Sequence, residues 1–217
     1  MDKRMKAFVE LVRGECLKLN VEFKITKTKQ VDNGDHCLCS GYFEDDSGGS
    51  RARLLVAGKH KNWFETLIHE FCHLKQWKEH DPIWQNEHEH FWDWVSGEVP
   101  KLSKKHIVMS VRRLRNLELD CEKRAVRMIR KYGLPVDIKH YIKGSNAYVK
   151  FYTLLGKTGA WCTYSTYRTP KIMGYMPSKF MPERWYRTLD ATFVADVFKY
   201  CYSDSKRRKA LAQLIGN

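Results

Sequence analysis

With 217 residues, 43% of them hydrophobic and 13% aromatic, the chain is long enough to bury a core and too apolar for a disordered segment. Its 39 Lys and Arg against 25 Asp and Glu give a formal charge of +14, which favours acidic or nucleic-acid partners without naming one. No apolar run approaches the roughly 18 residues that span a bilayer, MDKRMKAFVELVRGECLKL lacks a signal-peptide core, and the seven cysteines include no CxxC pair, so the expectation is a soluble cytoplasmic protein with reduced thiols and no membrane partner.

Residues 3–19 carry Phe8, Leu11, Val12, Cys16 and Leu19 at helical spacing and predict an amphipathic helix. VEFKITKT, residues 21–28, alternates with period two and ends in lysines, the pattern of a strand near a sheet edge. Asp32-Asn33-Gly34-Asp35 predicts a turn, and Cys37-Leu38-Cys39 puts two small side chains on one face of a strand. HCLCSGYF and RARLLVAG, separated by EDDSGGS, then predict a hairpin.

The next segment, NWFETLIHEFCHLKQW, predicts a helix with Asn62 as N-cap, Glu65 completing a capping box, and a core stripe of Phe64, Leu67, Ile68 and Phe71. On that helix His69 and His73, four apart, share a face, and Glu70 lies a third of a turn away. This is the HExxH arrangement of zinc peptidases. Neutral imidazole suits Zn²⁺, and three protein ligands leave a fourth position for water, whose pKa falls to about 7. Glu70 is then the general base that takes the water's proton and the acid that returns it to the leaving amine.

Beyond Trp77, a helix is expected over 83–96, closed by Gly97 and Pro100, with Trp84, Trp92 and Trp94 as packing residues. Residues 103–132 predict a long basic helix. It carries ten cations, Arg112, Arg113 and Arg115 among them, against Glu118, Asp120 and Glu122. It reads as a solvated face or, with the tail at 206–209, as a nucleic-acid contact. YIKGSNAYVKFYTLL predicts another helix, and residues 156–182, rich in Gly, Pro and aromatics, an ordered irregular segment over a cleft. A final helix is expected over 188–202, followed by a charged tail.

Two histidines need a third ligand, and three patterns offer one. A metzincin extension would need Gly at 76 and His at 79, where Gln76 and Glu79 stand. His88, followed by aromatics, resembles the third ligand of Spartan-type (SprT-like) proteases, which act on DNA-bound proteins, although Glu89 replaces the glycine expected after it. Glu118 and Glu122, four apart on the basic helix, resemble the gluzincin pairing of a ligand Glu with an acid that orients a ligand His. Glu118 to Ala125 also resembles the motif after HExxH in ImmA/IrrE-type metallopeptidases, with Cys121 in the small-residue position. The order HEFCHLKQW, LELDCEKRA, YIKGSNAY and MPSKF is similar to metallopeptidases encoded by tailed bacteriophages, over roughly residues 60–182.

These resemblances imply an α+β, zincin-like single domain over residues 1–217. A lobe at 1–98 would place a small sheet on the HExxH helix, with an edge strand free to pair with an extended polypeptide substrate. A mainly helical lobe at 99–217 would supply Glu118 as the third Zn²⁺ ligand beside His69 and His73, with Glu122 behind them; Tyr141, Tyr148 and Tyr152 could donate to an oxyanion but are each expected as packing residues outside the site. The expected activity is endopeptidase rather than exopeptidase. The rival expectation is a nucleic-acid-binding or virion-associated protein with a structural or inactive zinc site, which has no need of Glu70.

Overall fold

The computed structural model describes residues 1–33, 38–46, 49–80, 84 and 89–216, without the side chains of residues 89 and 212–216. It is a mixed α+β structure in which helix dominates and the sheet is small. The chain forms two compact units, residues 1–85 with 121–136, and residues 86–120 with 137–217.

The first unit opens with α1 (Lys3–Lys18), capped by Asp2, whose carboxylate accepts from the Arg4 amide at 2.7 Å. Phe8, Val9, Val12 and Cys16 are its buried residues, while Leu11 and Leu19, expected inward, are half-buried. Strands β1 (Glu22–Thr26), β2 (Val31–Asp32), β3 (Leu38–Cys39), β4 (Gly41–Glu44) and β5 (Arg53–Ala57) follow. β2 and β3 pair antiparallel across the expected turn, whose Gly34 and Asp35 lie outside the described residues, as does Cys37.

The main sheet has the order β1-β5-β4. β1 is parallel to β5 in the register Glu22↔Arg53, and β4 is antiparallel to β5 with Phe43 opposite Leu54. The lysine-rich strand is therefore an edge, as its sequence predicts, and the buried centre is Leu54, Val56 and Ala57 of β5.

Against β4 and β5 packs α2 (Trp63–Lys78). Its stripe of Phe64, Leu67, Ile68 and Phe71 is buried as expected, and Phe8 of α1 meets Phe64 and Phe71 edge-to-face at 5.9 and 5.8 Å. Gly41 permits the close approach of β4, because a Cβ there would stand 2.7 Å from Thr66 Cγ2 and 2.8 Å from the Leu55 carbonyl. Asn62 is the N-cap residue, but its side chain makes no capping hydrogen bond, so the expected capping box is not formed.

Of the helix expected over 83–96, residues 89–96 form α3 (Glu89–Ser96), Trp84 stands in a turn, and residues 83 and 85–88 lie outside the described residues. α4 (Lys104–Lys131) is the predicted basic helix, and the division between the units falls within it, between Asp120 and Cys121. Its last three turns return to the first unit, where Cys121, Ala125, Val126 and Ile129 are buried.

The second unit is built on α5 (Ile138–Thr158), which is capped by Asp137 and stopped by Gly159 in the left-handed conformation. Ala147, Phe151, Tyr152, Leu154 and Leu155 share one core with Phe91, Trp94, Val111 and Leu114. The irregular segment after α5 contains a 3₁₀ turn (Thr166–Arg168) and α6 (Pro170–Tyr175), both against α5. Asn146 pins its end, donating to the Pro177 and Lys179 carbonyls at 2.8 and 3.0 Å and accepting from the Tyr186 hydroxyl at 2.5 Å.

The short α7 (Glu183–Arg187) was not expected, α8 (Ala191–Tyr200) is the predicted last helix, and the charged tail folds as α9 (Asp204–Gly216). Arg115 departs from the solvated reading of α4. It is 4% exposed and donates to Thr153 Oγ1 at 3.1 Å, with Glu183 at 3.5 Å, so it is a packing residue rather than part of a basic surface.

Candidate metal centre

Helical spacing on α2 turns His69 and His73 to one face, and their Nε2 atoms stand 3.1 Å apart, with the rings nearly perpendicular. Each ring is held from behind. His73 Nδ1 is 2.9 Å from Oε1 of the fully buried Gln76, and His69 Nδ1 is 3.3 Å from Oε1 of the buried Glu122. Acceptors behind both Nδ1 atoms assign the proton to that nitrogen in each ring. Two Nε2 lone pairs then face each other at close range, which is repulsive unless a cation lies between them.

Two nitrogens on one tetrahedral zinc, at about 2.0–2.1 Å each, stand about 3.3 Å apart. The observed separation fits that donor set. No family model, curated protein or solved structure matches this chain. The chemistry of the site therefore rests on its own geometry.

Glu70 is buried on α2, 8% exposed, next in sequence to His69. Trp84 closes one side, its ring centroid 5.6 Å from that of His73 and its indole N–H donating to Asp45 at 2.7 Å. Cys121 approaches from α4. Its Sγ is 3.3 Å from the His69 carbonyl, to which it donates, and 3.6 Å from His69 Nδ1. His69, His73 and Cys121 each offer a ligand atom within 4.8 Å of the others. The thiol nevertheless lies against the nitrogen that faces Glu122, not the one that faces His73.

Glu118 belongs to the second unit. It is 7% exposed, and its Oε1 accepts from the Tyr152 hydroxyl at 3.0 Å and from the Tyr148 hydroxyl at 3.4 Å, the two phenols being 2.9 Å apart. Burial first, and the Glu118 charge second, push both phenols well above their ordinary pKa, so they stay protonated and donate. Glu118 is thus a buried carboxylate, not a surface partner of Arg115 or Arg124, which pair with Glu183 and Glu79. Tyr141 is buried, Asp120 is half-buried, and His88 lies outside the described residues, while the neighbouring His90 is exposed.

By sequence alone Gln76 is only a misfit to the metzincin pattern. Its position three residues after His73, on the same helical face, was the signal that it could hold that ring. The six described cysteines are free thiols, and no described helix is long and apolar enough to cross a membrane.

Proposed function

We propose that the chain is a zinc-dependent metallopeptidase of zincin-like fold that hydrolyses polypeptides in the cytoplasm, the host's if the chain is phage-encoded. The observation that carries this reading is the pair of Nε2 atoms 3.1 Å apart, with Gln76 and Glu122 behind the two Nδ1 atoms. The packing of α2 against β4 and β5, with β4 at a sheet edge, agrees with a zincin-like arrangement and leaves an edge for an extended substrate.

His69, His73 and Glu118 are the proposed ligands, Glu118 on the strength of its spacing from Glu122. Zinc bound there would supply Lewis-acid polarisation of the scissile carbonyl and a water acidic enough to lose its proton near neutral pH. Glu70 accepts that proton on its carboxylate and delivers it to the departing amine. Glu122 and Gln76 hold the imidazoles so that their Nε2 lone pairs converge.

Cys121 favours a second reading, a structural site in which its thiolate joins the two histidines. Replacing it distinguishes the two, since Cys121→Ala keeps zinc in the peptidase reading and loses it in the structural one.

Glu70→Gln tests the function itself. The variant should keep its fold and its zinc yet lose about 10² to 10⁴ in cleavage rate, the usual worth of general-base help. The readout is the appearance of new peptide termini in a proteome incubated with wild type, variant or chelated protein. Wild type that yields no zinc-dependent cleavage, or a variant that cleaves equally well, ends the peptidase reading.

A further inference from the structure

On the other side of α2 from the histidine pair, the first unit holds an open cavity of about 420 Å³ between α1, α2 and the last turns of α4. At 100° per residue, Phe71 lies about 200° around the helix from His69, so the cavity and the His pair are separate sites on one helix. Leu11, Phe71 and Met128 supply apolar lining, and Tyr132 stands at one wall, its ring packed edge-to-face on Phe8 at 5.7 Å. The volume is within the range of small-molecule sites.

Four cations line the same cavity, Lys75, Arg124, Arg127 and Lys131, against two carboxylates, Glu15 and Glu79. The carboxylates are engaged. Glu15 holds Lys75 at 3.2 Å together with Lys18 and Lys78, and Glu79 binds Arg124. Arg127 and Lys131, one turn apart on α4 and both exposed, pair with no carboxylate among the described residues. Lys131 Nζ is instead held over the Tyr132 ring, 5.3 Å from its centroid, which keeps the ammonium at the rim. The cavity therefore combines an apolar interior with a residual charge of +2 in two adjacent, uncommitted donors.

We propose that this cavity is a binding site for a phosphate monoester carried on a flat apolar or aromatic body, its dianion on Arg127 and Lys131 and its body over Leu11, Phe71 and Met128. A phosphomonoester carries a charge of about −1.5 to −2 at neutral pH, which matches the two free cations, and a guanidinium and an ammonium side by side suit its oxygens. A simple carboxylate would leave one cation unmatched, and inorganic phosphate would leave the apolar interior wet.

The site does not depend on the peptidase reading, and its test does not require activity. Titration calorimetry of the full chain with 1-naphthyl phosphate should show one saturable site, with 1-naphthol and inorganic phosphate each weaker by at least about ten-fold. The double variant Arg127→Ala/Lys131→Ala should lose at least about ten-fold in affinity, while Arg130→Ala, which removes one charge from an exposed α4 residue outside the cavity, should change it by less than about two-fold. Both variants should unfold in urea at close to the wild-type midpoint with an unchanged m-value, which shows that the fold is intact. Adenosine 5′-monophosphate binding more tightly than the naphthyl ester would assign a nucleotide, and weaker binding an aryl phosphate. Absence of saturable binding, equal binding of naphthol or free phosphate, or equal loss in Arg130→Ala would overturn the proposal.

Discussion

The two units surround two buried carboxylates of one helix in opposite ways. In the first, Glu122 sits behind an imidazole, 3.3 Å from His69 Nδ1. In the second, Glu118 lies under two phenols, with Tyr152 donating at 3.0 Å and Tyr148 at 3.4 Å. Glu122 thus sets the tautomer of a ring, whereas Glu118 is itself oriented, by donors that burial keeps protonated. Spacing alone makes the two residues look alike. Their neighbours give them different work.

The largest effect expected from this difference is on zinc. Under the proposed ligand set, Glu118→Ala should purify with little zinc, while Glu122→Ala and Gln76→Ala should each weaken binding by about 10- to 100-fold, the usual cost of removing the group behind a ligand histidine. Competition with a calibrated chelator measures all three. Equal losses for Glu118→Ala and Glu122→Ala would erase the distinction, and full zinc in Glu118→Ala would remove it from the ligand set.

A smaller effect sharpens the second half of the comparison. Tyr152→Phe takes one donor from a buried carboxylate that Tyr148 still reaches, and should cost about 1.5 kcal/mol of stability, the low end for a hydrogen bond to a charged group. Urea unfolding at constant m-value reads it. Tyr148→Phe, the longer contact, should cost less, and the reverse order would mean that Tyr148 is the principal donor.

The smallest effect concerns a carboxylate that is neither deeply buried nor near the histidines. Lys18 foremost, with Lys75, holds Glu15 down to about 2 from an ordinary 4.5. A depressed carboxyl stabilises the fold above its unfolded pKa and loses that contribution as pH falls, here between about 4.5 and about 2. Solvent screening limits the gain to about 1 kcal/mol. Wild type should therefore lose about that much over this window, relative to Glu15→Gln. Parallel stability curves for the two would show that the ion pairs contribute nothing.

Much of the arrangement was legible before the fold was known, where local periodicity decides it. The HExxH spacing put both imidazoles on one helical face, the alternation ending in lysines marked β1 as an edge, and the 28 residues of α4 followed from charge and apolar rhythm. The boundaries were less legible where caps and turns compete, as at Asn62, whose side chain does not cap, and at Trp84, which stands in a turn ahead of α3.

What periodicity could not decide is which long-range partner each polar group meets. The expected lobes, cut at residue 98, follow the order of the chain, but contacts group residues 121–136 with the first unit, because a helix as long as α4 can serve two cores with one continuous backbone. Arg115 reads as one more surface cation until Thr153 and Glu183, 38 and 68 residues away, receive it. Gln76 is a misfit in a motif until its amide oxygen is found behind His73, and Cys121 a small residue until its thiol is found against His69. Residue types and their spacing on one helix are properties of the chain; the donor behind each ring, and the carboxylate beneath each phenol, exist only once separate segments are packed together.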